Sequence, residues 1–366
     1  MKYLFLLLAF TAFFSAQAQK KVIRFYVGTS ATDEESSITL CELDLKSGTI
    51  TKIDTFNTCK GPGYLRLSPN QKYLYTANQD NTLASFKVKK DGSLTFLSRQ
   101  GAEGVNPCHV SVHPSGQMAF LANYTSGSWA AYPITPDGKV QATSAKYSFT
   151  GSGPNKSRQD KPHAHCVLPT PNGKYVYVTD LGTDRLMNYK VDSEKGTMVP
   201  NPVQVYLYTE PGAGPRHFVI HPSGKFLYLL NELHSTVVAC TIDDLGVVNE
   251  IATLPTLPAD FKGTNTSAAI RLHPNGRFVY VSNRGYNAIH AYEIQANGSL
   301  KKVDEIRQGI STPRDFNLDP SGQFMIIGNQ DTDNLLIYKV DPTTGKLMFI
   351  EASISIRKPI CIEFLR

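Results

Sequence analysis

Six times along this 366-residue chain a proline is followed, nine residues later, by Asn or Asp at the end of an apolar run. The pairs are Pro69/Asn78, Pro114/Asn123, Pro171/Asp180, Pro222/Asn231, Pro274/Asn283 and Pro320/Asn329. The flanking segments read alike, as in HPSGKFLYLLN (221–231), HPNGRFVYVSN (273–283) and DPSGQFMIIGN (319–329). Self-similarity at a period of about fifty residues marks a repeat architecture, in which one supersecondary unit is copied around a shared core.

One unit can be read from 213 to 254. AGPRHFVIH has the pattern of a strand, and PSGK that of a turn, with proline at a corner and glycine supplying the unusual dihedral. FLYLLN is densely apolar and reads as a strand buried on both faces. TVVACTID and VVNEIATLP supply two more strands around DLG. Four short strands per unit with no 3.6-residue period indicate an all-β fold, the blade of a β-propeller. A parallel β-helix has shorter coils. Two fragments flank the six units. KVIRFYVGTS (21–30) resembles a second strand with Gly28 in place of the Asn, and RKPICIEFL (357–365) resembles an orphan first strand. Joined, they make a seventh blade from both termini and close the ring, which removes exposed sheet edges. The expectation is a single seven-bladed domain over 19–366. The longest interruption, TGSGPNKSRQDKP (150–162), reads as a surface loop near one mouth of the ring.

The first eighteen residues differ in kind. Lys2, the apolar run Tyr3–Phe14 and Ala16-Gln17-Ala18 have the form of a signal peptide, predicting residues 1–18 as a leader and cleavage near Gln19. The run is shorter than the ~20 residues a spanning helix needs, so the expectation is export without stable membrane insertion. The net charge of +6 is scattered, which argues against nucleic acid as a partner. Six cysteines (41, 59, 108, 166, 240, 361) have no metal-ligand spacing and read as buried free thiols. No spacing calls for a metal or a cofactor, and no GxSxG elbow is present.

With the register of each unit set, equivalent positions can be compared. Six residues before each proline lie Gly63, Cys108, His165, Arg216, Ala268 and Arg314, with Ile360 in the shared blade. After each anchor come Thr29, Gln79, Tyr124, Leu181, Glu232, Arg284 and Gln330. Both rings fall at the same end of the blades. Five ionisable side chains, His165, Arg216, Glu232, Arg284 and Arg314, therefore gather on one face. Converging guanidiniums suit a small anion, but the same charges could also tie blades together as ion pairs. His113, His221 and His273 belong to the turn pattern. His109 and His217, one place off the ring, are expected on the other side of the strand, whereas His163 shares the parity of His165. The Asn and Asp anchors read as backbone-bonding scaffold.

Five segments resemble the seven-bladed lactonase family: NPCHVSVHPSG (106–116), KPHAHCV (161–167), GAGPRHFVIHPSGKFLYLLNEL (212–233), VYVSNRG (279–285) and PRDFNLDPSGQF (313–324). The family contains propeller-type 6-phosphogluconolactonases of bacteria and fungal carboxy-muconate lactonizing enzymes. The resemblance implies ring-opening hydrolysis of a small anionic sugar-acid lactone. It also implies a catalytic set of His163 or His165 with Arg216, Glu232 and Arg284. Arg314, Gln330 and Tyr124 are expected to bind substrate beside it. Two other readings stay open: a non-catalytic propeller that binds an anionic sugar or a protein, and a muconate-type lactonizing enzyme.

Overall fold

The structure, a computed structural model, describes residues 21–34, 36–192 and 196–366. The expected leader lies outside them. The described residues form seven antiparallel sheets, six of them four-stranded, in one closed ring. The first strands are Pro62–Leu67, Pro107–Val112, Ala164–Pro169, Pro215–Ile220, Thr266–Leu272, Pro313–Leu318 and Pro359–Phe364, and each packs against the next around the axis. The sheet that starts with Ala164–Pro169 carries a fifth short strand, Tyr206–Tyr208.

Closure occurs as the two terminal fragments predict. The innermost strand of the seventh blade is Pro359–Phe364, paired antiparallel with Val22–Thr29 so that Val27 faces Ile362. One register differs from the expectation. Thr29 pairs with Pro359 as Asn78 pairs with Pro62, so Thr29, not Gly28, stands in the anchor position. Thr29 Oγ1 donates to the Arg357 carbonyl at 2.8 Å. The segment holds no proline turn from which to count, and the slip moves Ser30, not Thr29, to the mouth of the ring.

The anchors are scaffold. Asn123, Asn283 and Asn329 each donate Nδ2 to a backbone carbonyl 20 to 27 residues away (Ala102, Thr256 and Gly309) at 2.9, 3.0 and 3.0 Å. Asp180 accepts instead, from the His163 and Gly182 amides through Oδ1 and from the Thr183 hydroxyl through Oδ2. The turn histidines donate Nε2 to the turn glycine of the next blade: His113 to Gly173, His221 to Gly276 and His273 to Gly322. Three residues before the anchors, buried tyrosines repeat the device. Tyr26, Tyr177, Tyr228 and Tyr280 donate to the carbonyls of Gly92, Gly246, Gly298 and Gly345. Gly298 has φ +85°, and a Cβ there would meet Phe226 at 2.4 Å, so only glycine lets the blades close. Apolar clusters fill the spaces between blades, and the fourth strands, such as Val248–Pro255, are the most exposed to solvent.

Candidate active site

Each first strand carries a β-bulge at the same place. In five blades the pairing steps from the proline opposite the anchor straight to the residue two places on, as in Pro215↔Asn231 and His217↔Leu230. Equivalent irregularities occur in the other two. The skipped residues include Gly63, Cys108, His165, Arg216, Arg314 and Ile360. A bulge re-aims the extra side chain, and here it turns these positions toward one mouth of the central channel. They line a cavity of about 530 Å³ together with Gln79 and Gln330. No described acidic residue lines it.

The bulge also reverses the expectation for the neighbouring histidines. His109 and His217 do not turn away; they meet at the channel axis. His217 packs edge-on against His165 with ring centroids 5.1 Å apart, and against His109 at 5.5 Å. Tyr64 lies over His109 at 4.3 Å. Tyr64 and His217 border both this cavity and a larger one, about 740 Å³, at the opposite mouth, which the six anchoring prolines surround. In the larger cavity Arg66 pairs with Glu363 at 3.6 Å and Arg271 with Asp315 (buried behind it) at 2.6 Å, which leaves Arg366, the last residue of the chain, at its edge. The smaller cavity therefore carries the candidate chemistry.

Glu232 and Arg284 stand behind its wall. Glu232 Oε2 lies 2.9 Å from Arg216 Nε and 3.3 Å from an Arg284 terminal nitrogen. The Arg216 Nε–H is not aimed at that oxygen, so the contact is an ion pair without a directed hydrogen bond. Arg216 also donates to the Ala268 carbonyl, and Arg284 to that of Ser267 at 3.2 Å. Oε1 takes a third guanidinium, Arg158, at 2.5 Å. Arg158 comes from the 150–162 insertion and was not singled out from sequence. It has no repeat equivalent, and the one signal was an arginine in the sole long insertion, next to KPHAH. That insertion packs behind the site rather than standing free in solvent: Gln159 within it is fully buried.

Burial works to raise the Glu232 carboxyl, but Arg284 and Arg216 overcome it and hold it far below the usual carboxylate range. Burial, then Arg216, pushes His165 well below the ordinary imidazole value, so it is neutral at neutral pH. Burial also lowers His109 and His217, with Arg66 next for His109 and Arg216 next for His217. Burial, with Arg216 next, brings Arg314 down to about 10. Among the described residues Arg314 makes no ion pair and no hydrogen bond. Cys108 lines the cavity too, its thiol raised by burial to about 12 and hence not a thiolate at neutral pH. All six cysteines are free.

The two candidate histidines have different surroundings. His163 is buried, stacked on Tyr124 at 4.3 Å, with Nδ1 on the Tyr124 carbonyl at 3.0 Å and Nε2 at 3.4 Å from Asp160. His165 meets the Tyr124 ring edge-on at 5.4 Å and lines the cavity. Of the eight expected residues, His165, Arg216, Arg314 and Gln330 line the cavity. Glu232, Arg284, Tyr124 and His163 form the layer that supports them. Among the described residues no group of three or more His, Cys, Asp or Glu could hold a metal ion.

Comparison with known proteins bears on this site. Residues 24–364 match the family described as lactonase, 7-bladed beta-propeller. The chain is 34% identical to the 6-phosphogluconolactonase of Bacillus subtilis over 346 residues, 93% of this chain and 97% of that protein. It is 32% identical to the 6-phosphogluconolactonase of Formosa agariphila over 335 residues, 88% of this chain and 94% of the relative. It superposes on the periplasmic gluconolactonase of Pseudomonas aeruginosa with a TM-score of 0.89 at 26% identity, covering 94% and 99% of the two chains. The chain belongs to the seven-bladed β-propeller lactonase family.

Proposed function

We propose that this protein hydrolyses a sugar-acid lactone that carries a negative group, in the manner of a 6-phosphogluconolactonase, at the cavity lined by His165, Arg216 and Arg314. The observation that carries the reading is a neutral, buried imidazole beside guanidiniums in a cavity that no described acidic residue lines. Ring opening needs a base for the attacking water and positive charge where the oxyanion develops. His165 supplies the base. Glu232 does not border the cavity and is held by three guanidiniums; its part is to hold Arg216 and Arg284 in place. Arg216 stabilises the oxyanion, and Arg314, with no internal partner, takes the substrate's anionic group. Gln330 and Tyr124 complete the polar lining and the support of His165.

A muconate-type lactonization that relies on a protonated imidazole is disfavoured by the same burial that keeps His165 neutral. Arg216→Ala and His165→Gln should each lower kcat/KM by about 10²- to 10⁴-fold on a purified lactone. Unchanged turnover in both removes the assignment. Saturable binding without turnover by the wild type instead supports a binding propeller.

The leader-like segment 1–18 and the likeness to a periplasmic gluconolactonase together support an exported mature chain over 19–366. An unphosphorylated aldonolactone then joins the phosphorylated one as a substrate to assay. N-terminal sequencing of the protein from fractionated cells tests this; an intact Met1 in the cytoplasmic fraction overturns it.

A further inference from the structure

The three guanidiniums on Glu232 come from separate parts of the chain, and two of them trace back to one carboxylate that lines neither of the two cavities. Asp184 is buried, 4% exposed, and sits at φ +55° just before the strand Arg185–Asp192. Its Oδ1 accepts from Gln159 Nε2 at 2.7 Å and from the Gly214 amide at 2.8 Å; its Oδ2 accepts from the Gly212 amide at 2.7 Å. Two arms run from these bonds to Glu232. In one, Gln159 is the neighbour of Arg158, whose guanidinium meets Glu232 Oε1. In the other, Gly214 accepts from the Glu232 amide at 2.7 Å and lies two residues before Arg216, which meets Oε2.

The corresponding residues of other blades do less. Asn81, Asn287 and Asp333 share the left-handed backbone, and each accepts an amide from the segment leading into the next blade (Asn106, Thr312 and Lys358). That link joins blades, at the rim of the cavity for Asn81 and Asn106, and reaches none of the guanidiniums on Glu232. Asp184 keeps the link through Gly212 and Gly214 and adds Gln159. Gln159 is itself fixed on every side: Nε2 also donates to the Leu181 carbonyl at 2.9 Å, and Oε1 accepts from the Asn155 amide at 3.1 Å. The insertion that carries Arg158 is thus fastened to the same point as the strand that carries Arg216.

The geometry points to Asp184 as a positioning residue for the hydrolysis: it holds the Arg158 loop and the Arg216 strand in one register, so that both guanidiniums meet Glu232 together. This rests on the lactonase reading of the cavity and assigns Asp184 no contact with substrate. A displacement of about 1 Å in a catalytic group can lower the rate by about 10²-fold.

The test uses Asp184→Asn, Gln159→Leu and Arg158→Gln, alone and in pairs, on the full mature chain with a purified lactone. Asparagine keeps the left-handed backbone, but its NH₂ group must face one of the three donors, so at least one bond is lost. Each single variant is expected to lower kcat by about 10- to 100-fold with KM changed less than about threefold. Adding Arg158→Gln to Asp184→Asn or Gln159→Leu is expected to lower it no further, because the substitutions act through one contact. The acid limb of the Asp184→Asn profile is expected to move to higher pH as Arg216 shifts from His165. Losses that multiply in the pairs, or a lowered unfolding midpoint with kcat and acid limb unchanged, overturn the proposal and leave Asp184 a link between blades. Absence of turnover by the wild type overturns the lactonase reading and this inference with it.

Discussion

Replacing Glu232 by glutamine keeps the shape of the side chain and removes the one negative charge on which three guanidiniums converge. Arg216 and Arg284 lie 2.9 and 3.3 Å away, with side chains only 3% and 14% exposed. Without the carboxylate they face each other and Arg158 across a nearly dry site. Removing one partner from a buried pair lowers stability by about 3–5 kcal/mol, because an uncompensated charge stays buried. The Arg158 pair is shorter, 2.5 Å, but its guanidinium side chain is 36% exposed, so Arg158→Gln is expected to change stability by about 1 kcal/mol or less. The assay is urea unfolding at constant slope, with inorganic phosphate titrated in. An anion that takes the place of the carboxylate should restore about 1.4 kcal/mol at ten times its dissociation constant. The sign with pH follows from the depressed Glu232 value. The stability from this group is complete above the unfolded glutamate pKa of about 4.3 and is lost as pH falls below it. The gap between wild type and Glu232→Gln should therefore shrink from about pH 5 toward pH 3. A variant whose unfolding free energy lies within about 0.5 kcal/mol of wild type at pH 7 would refute the clamp as described.

Arg314→Gln should lower kcat/KM for a phosphorylated lactone by about tenfold or more and for the uncharged aldonolactone by less than about threefold, since a charge-assisted bond contributes roughly 1.5–3 kcal/mol. Equal losses on both substrates would show that Arg314 does not read the anion. His109, His165 and His217 are all buried with lowered pKa values, so below the unfolded value of about 6.5 the unfolded chain takes up protons that the folded chain does not. Stability is undiminished by them above that pH and falls beneath it, by about 1 kcal/mol for each histidine between pH 6.5 and 5.5. Urea midpoints that do not change over that unit would contradict neutral histidines in the channel.

The nine-residue spacing made much of this protein legible, because it encodes hydrogen-bond register. A proline that opens a hairpin and an anchor that ends it determine which residues face one another. Blade count, closure by the 357–365 segment and the placing of His165, Arg216 and Arg314 at one mouth all follow from that local rule. Where no proline turn existed, at Gly28 and Thr29, the register slipped by one. Where a bulge inserted a residue, the simple alternation of strands misplaced His109 and His217.

What the sequence determined alone was the repeat, and with it the ring on which candidate charges stand. Tertiary structure alone decided which of those charges border the cavity and which support it. Glu232 and Arg284 lie behind the wall, and His163 braces Tyr124 while His165 faces the space. It also brought in Arg158, 74 residues from its partner, through a loop fastened by the buried Gln159 and Asp184. The physical reason is range. Strand register is set by neighbours along a hairpin and leaves a period in the sequence, whereas the aim of a loop side chain depends on contacts with blades folded from distant segments and leaves none.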